Sequence, residues 1–125
     1  MIHHLSVGTN DTARARTFYD PVMAVVGLRR MDADSESLDY GIGAFLLSIE
    51  TPVDGNPATP GNGVHIAFTA EDRAMVDRFY RTALDNGGSD AGAPGLRPEY
   101  NANYYGAFVR DPDGNKIEAV TYSAV

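Results

Sequence analysis

Laid over itself at a shift of 61 residues, the chain places His4 on His65, Asp11 on Asp72, Ala13 on Ala74, Phe18 on Phe79, Tyr19 on Tyr80 and Gly27 on Gly88. Six identities fall in the 25 positions from His4 to Leu28, where ordinary residue frequencies give about one or two. Conservative pairs add to the match: Leu5 with Ile66, Val7 with Phe68, Met23 with Leu84. The chain therefore reads as two copies of one unit, and whatever one copy folds into, the other repeats.

Each copy opens on a strand, HLSVG or HIAFT. Leu5 and Val7, or Ile66 and Phe68, form an apolar face, while His4, Ser6, Gly8 and His65, Ala67, Thr69 form the other. A helix follows in each. In the second copy Val76, Phe79, Tyr80, Ala83 and Leu84 recur at helical spacing, with Thr69 as the expected N-cap and Gly87-Gly88 as the stop. In the first, Phe18, Tyr19, Val22, Met23 and Val26 make a similar stripe, and Pro21 is expected to kink or split it. Strands are predicted over Arg29 to Asp34, Leu38 to Ile42 and Phe45 to Glu50, then over Leu96 to Tyr100, Tyr104 to Arg110 and Lys116 to Tyr122. Asp111-Pro112-Asp113-Gly114 reads as the turn of a terminal hairpin. The Pro- and Gly-rich stretch from Thr51 to Gly63 reads as a linker, so residues 1–125 form a single domain with module 1 about 1–50, a linker about 51–63 and module 2 about 64–125.

The expected architecture is α+β: two βαβββ modules in tandem, making a curved mixed sheet with the helices on its convex face. The opposite face then lines a concavity, and His4 and His65 both point into it. If the modules pair about a pseudo-twofold axis, two imidazoles in such a cleft are natural ligands for a divalent ion. Glu118 is the third candidate, because the alternation that sends Ile117 and Ala119 to the helix sends Glu118 into the concavity. Four residues from Gly43, the expected counterpart of Gly114, lies Leu47, so a fourth, symmetric ligand is absent. Two His and one carboxylate with open positions suit Fe, Mn, Ni or Zn in contact with substrate oxygen. His3 aligns with Val64 and falls on the face of Leu5, which sets it aside.

Composition narrows the partners. The formal net charge of −7 argues against nucleic acid, whose binding relies on basic surface. No apolar run approaches the roughly 20 residues of a membrane span. With no cysteine and no basic-then-apolar leader ahead of the first strand, the expectation is a cytoplasmic protein with a small-molecule ligand.

In order, HLSVGTND, FYDPVMAVVGL, GVHIAFTAEDRAMVDRFYRTALDNGG, GAPGLRPEY and YYGAFVRDPDGNKIEAV resemble the glyoxalase, bleomycin-resistance and extradiol dioxygenase superfamily, the vicinal oxygen chelate proteins, over essentially the whole chain. The resemblance implies paired βαβββ modules, commonly in homodimers, and carries the metal-ligand positions onto His4, His65 and Glu118. It puts Leu47 near the place that glyoxalase I enzymes fill with a carboxylate, a departure from that activity. The resemblance further implies an enzyme of lyase, isomerase or dioxygenase type that uses a divalent metal on vicinal oxygens. Tyr40, Arg97 and Tyr100 are its candidate substrate-binding residues, Tyr104 or Tyr105 its candidate donor to an oxyanion, and Glu99 its candidate proton carrier. The alternative is a metal-free protein of the antibiotic-sequestering kind, for which an acidic groove suits a cationic drug. A third possibility is a scaffold that keeps the fold without activity.

Overall fold

The computed structural model describes residues 1–31 and 37–125. The elements run β1 (Leu5–Gly8), α1 (Thr12–Val25), β2 (Arg29–Arg30), β3 (Ser37–Ile42), β4 (Ala44–Glu50), β5 (His65–Thr69), α2 (Arg73–Asp85), β6 (Ser89–Leu96), β7 (Tyr105–Arg110) and β8 (Lys116–Thr121). They form two four-stranded mixed sheets of identical order, β1-β4-β3-β2 and β5-β8-β7-β6. In each the first strand lies parallel to the last, and the other pairings are antiparallel. This is the tandem βαβββ fold that the repeat predicts.

The repeat is literal at the helix starts. Asp11 and Asp72, both with extended backbone, accept from the N–H groups three residues on, Arg14 at 3.0 Å and Met75 at 2.8 Å. Asp72 therefore replaces the expected cap Thr69, which is still the last residue of β5. At the other ends, Gly27 and Gly87 follow the C-caps Val26 and Asn86 with φ of 88° and 99°. The conformational partner of Gly27 is thus Gly87, one residue short of its aligned Gly88. Gly88 is demanded by space: a Cβ there would lie 2.7 Å from the Phe18 ring of the other module.

Pro21 does not split α1, which runs unbroken from Thr12 to Val25. Proline removes only one backbone donor, and Phe18, Tyr19, Val22 and Met23 are all fully buried around it, so packing outweighs the lost bond. The strand expected over Leu96 to Tyr100 lies earlier, over Ser89–Leu96. Its SDAGAPGL sequence has almost no strand preference, and pairing to β7, with irregular register around Gly92, holds it in place. Residues 97–100 instead turn, with the Tyr100 N–H donating to the Arg97 carbonyl. Of the strand expected over Arg29 to Asp34, Arg29–Arg30 is β2, and residues 32–36 lie outside the described residues.

One buried cluster spans both modules, with Phe18, Tyr19 and Val22 of α1 and Val76, Phe79 and Ala83 of α2 packed on Leu38, Leu47, Ile49, Val109, Ile117 and Ala119 of the sheets. The Asp111–Asn115 turn clasps the modules together. Asp111, itself buried, accepts from Tyr19 Oη at 2.6 Å and Asn115 Nδ2 at 2.9 Å, and Asn115 Nδ2 also donates to the Gly8 carbonyl. Asp113 accepts from Thr9 Oγ1, the Asn10 N–H and the Arg14 guanidinium. Among the described residues no helix is long and apolar enough to cross a membrane.

Candidate functional site

Strand register decides what meets on the open face of the second sheet. β8 is a central strand, flanked by β5 and β7, and side chains two apart on it share a face. Lys116 lies beside His65 on β5 and Arg110 on β7; Glu118 lies between Ala67 and Phe108. His65, Lys116, Glu118, Phe108 and Arg110 therefore share the face opposite Ile117 and Ala119, which are buried in the core.

Glu118 is fully buried. Its Oε1 is 3.1 Å from His65 Nε2, and its Oε2 accepts from the Tyr104 hydroxyl. Gly106 makes the room for this: a Cβ there would stand 2.9 Å from Glu118 Oε2 and 3.1 Å from the Tyr104 ring. Burial, then the hydrogen bond to Glu118 and its negative charge, push the Tyr104 hydroxyl well above the ordinary tyrosine range, so it keeps its proton and acts as a donor. Above this floor is a cavity of about 640 Å³, lined by His65, Arg97, Tyr100, Tyr104, Phe108, Lys116 and Glu118, with Ala91 and Gly92.

The sequence candidates divide. His65, Glu118, Tyr104, Arg97 and Tyr100 come together. His4 does not join them: it is exposed just ahead of β1, with Nδ1 2.8 Å from His3 Nδ1 and its ring 4.4 Å from that of Phe45. Among the described residues no group of three or more His, Cys, Asp or Glu is placed to hold a metal. Tyr40 lies in the core, fully buried, with its hydroxyl on Asp20, and so takes no place in the cavity. Glu99 is exposed and does not line it. Tyr105 turns to the helix side, donating to Asp77 of α2.

The counterpart of Glu118 in module 1 is Ser48, not Leu47. Ser48 pairs with Ser6 as Glu118 pairs with Ala67, whereas Leu47 pairs with Leu5 and is buried in the core. Counting from the turn glycines fails because the Gly43 hairpin is tight and carries a register shift at Tyr40/Gly41, while the other hairpin has the longer Asp111–Asn115 turn. Sequence reasoning misses Phe108 and Lys116 as cavity residues, although parity with Glu118 on β8 is a signal that finds Lys116.

His65 Nε2 and Glu118 Oε1, 3.1 Å apart, are hydrogen-bonding partners here, and an imidazole and a carboxylate are donor types that a divalent ion would take. The pair supplies two ligands of the three expected.

The family model for the Glyoxalase/Bleomycin resistance protein/Dioxygenase superfamily matches residues 1–119. Among solved structures, a glyoxalase/bleomycin resistance protein from Albidiferax ferrireducens T118 is similar at 36% identity, with a TM-score of 0.86 over 96% of this chain and 97% of that one. A glyoxalase-related enzyme from Fulvimarina pelagi, at 19% identity, has a TM-score of 0.75 over 96% and 87%. A lactoylglutathione lyase from Agrobacterium tumefaciens, at 22% identity, has a TM-score of 0.65 over 96% and 92%. Among curated proteins none matches the chain.

Proposed function

The chain belongs to the Glyoxalase/Bleomycin resistance protein/Dioxygenase superfamily, and from that premise we propose that it is a divalent-metal-dependent enzyme acting on a small substrate with vicinal oxygens. The chemistry is of lyase, isomerase or dioxygenase type. The observation that carries this reading is Glu118: a carboxylate with no exposed surface, at the floor of a cavity, beside an imidazole at 3.1 Å. Burying a carboxylate costs several kcal/mol unless positive charge compensates it, and a bound ion is such compensation.

In this reading His65 Nε2 and Glu118 Oε1 hold the ion, and the third ligand is His4 of a second copy. His4 is exposed and apart from the pair in its own chain, and β1 and β5 are both edge strands. Exposed Leu5, Ile42 and Leu46 on module 1 and Val64, Leu96 and Tyr122 on module 2 supply apolar surface for a homodimer. A bound divalent ion supplies Lewis-acid polarisation of substrate oxygens. Tyr104 donates its one hydroxyl proton to Glu118 Oε2, which fixes the orientation of the carboxylate at the floor of the cavity and leaves the Tyr104 oxygen as an acceptor there.

Elemental analysis of protein purified without a histidine tag tests this. Stoichiometric metal in the parent, lost in both His4→Ala and Glu118→Ala with the fold retained by circular dichroism, is the expected result. A parent that takes up none of Mn, Fe, Ni or Zn overturns it. The second reading, metal-free binding of a small molecule in the same cavity, is favoured by one observation: a single chain brings together only two of the three candidate ligands.

A further inference from the structure

The chain carries seventeen acidic residues against ten basic ones, and Lys116 is its single lysine. That lysine lies directly across the β7–β8 ladder from Arg110 and directly beside His65 of β5. Like charges facing each other across a ladder are unfavourable. Among the described residues neither Lys116 nor Arg110 has a carboxylate within salt-bridge distance. Arg110 instead donates to the Gly114 carbonyl at 2.9 Å, which brings no opposite charge.

The row Arg110, Lys116 and His65 forms one wall of a second cavity, of about 470 Å³, whose other wall is the segment Pro60–Val64. His65 and Lys116 line both this cavity and the one over Glu118, so the two adjoin. In the cavity over Glu118, Lys116 Nζ is 5.0 Å and Arg97 Cζ 5.6 Å from the centre of the Phe108 ring, and Glu118 is the single carboxylate. In a chain of net charge −7, three of its ten cationic side chains, Arg97, Arg110 and Lys116, thus gather on two joined cavities.

We infer that the substrate is an anion, with its carboxylate or phosphate held at the Arg110–Lys116 pair and its neutral, oxygen-bearing part lying along Phe108 towards Glu118. This rests on the proposed site over Glu118 and names its substrate class. A negative group between Arg110 and Lys116 removes the repulsion between them, and charge-assisted hydrogen bonds to both orient it. A cationic ligand meets the same two side chains as a barrier, so the site discriminates against the class of drug that the chain's overall acidity suggests.

The test is calorimetric titration of chelator-treated protein at constant ionic strength with four probes: inorganic phosphate, lactate, lactamide and choline. Saturable binding of phosphate or lactate, at least tenfold tighter than lactamide and with no uptake of choline, is expected; which anion binds tighter distinguishes a phosphate from a carboxylate substrate. Lys116→Gln and Arg110→Gln should each weaken that binding at least tenfold while raising the melting temperature of the ligand-free protein, since each relieves the like-charge pair. A purely structural role for either residue would not produce that opposite pair of effects. Absence of saturable binding by both anions, equal binding of lactamide, or uptake of choline overturns the inference. Because metal is removed beforehand, failure here leaves the metal reading standing, and failure of metal uptake leaves the anion site standing.

Discussion

Module 1 and module 2 share a strand order, an aspartate cap with the same N–H partner three residues on, and a glycine with positive φ after the helix. They part at two places. On the face away from the helices, module 2 has a buried glutamate where register gives module 1 a buried serine, Ser48. At the hairpin, module 1 turns on Gly43 alone, whereas module 2 carries an aspartate-rich turn that reaches across to Thr9, Asn10, Arg14 and Tyr19. The backbone of a duplicated unit is held by caps, turns and apolar spacing, which both copies retain. Its chemistry rests on single side chains, in which the two copies differ while sharing one backbone fold.

Substitutions can break this comparison at graded depth. Asp111→Ala removes the acceptor of Tyr19, Asn115 and two backbone N–H groups, and should cost about 4 kcal/mol in urea unfolding, by far more than any change at Gly43's exposed neighbours. Ser48→Glu makes the modules alike on paper, but it buries a carboxylate opposite Asp39, its cross-strand neighbour. A loss of about 3 kcal/mol is expected, read from the same urea midpoint, against no loss if the two faces were interchangeable.

Tyr19→Phe is a milder cut of the same clasp, worth about 1–2 kcal/mol at neutral pH. It also has a pH signature. Burial, then the charge of Asp111 and its hydrogen bond, hold the Tyr19 hydroxyl well above its unfolded value of 10.0. The neutral hydroxyl therefore contributes stability that is fully present below that value and is lost as pH rises towards the folded one. Melting temperature should fall above pH 10 in the parent, and fall less steeply in Tyr19→Phe. The smallest effects belong to the shared features: Asp11→Ala and Asp72→Ala should each cost about 1 kcal/mol, and nearly equally, since the caps are equivalent.

Much of this is legible in the sequence for a physical reason. The repeat, the helical stripes and the turn residues are local signals, and they place both modules and the parity that turns Glu118 into the cavity. The misses are where non-local forces decide. Thr69 has the chemistry of a cap, yet strand β5 ends on it and the chain waits three residues for Asp72. SDAGAPGL is a strand only because β7 offers it partners. Leu47 matches Glu118 by counting along the chain, and the register shift near Gly41 moves the true counterpart to Ser48. Tyr40 has the chemistry of a binding residue, but alternation along β3 with Leu38 sends it into the core. His4 and His65 are equivalent by sequence, and only the structure separates the one beside a carboxylate from the one that meets His3 and Phe45 instead.

That separation gives the most direct test of a site built on module 2 and completed by His4 of a second copy. Untagged His4→Ala and Glu118→Gln proteins are each loaded with metal and assayed, then mixed, allowed to exchange subunits, and assayed again. Each variant alone should hold no metal, and the mixture should hold about a quarter of the parent's metal per chain, because half the dimers are mixed and each has one intact site. A mixture in which subunits demonstrably exchange, but which stays as empty as its components, would contradict a shared site.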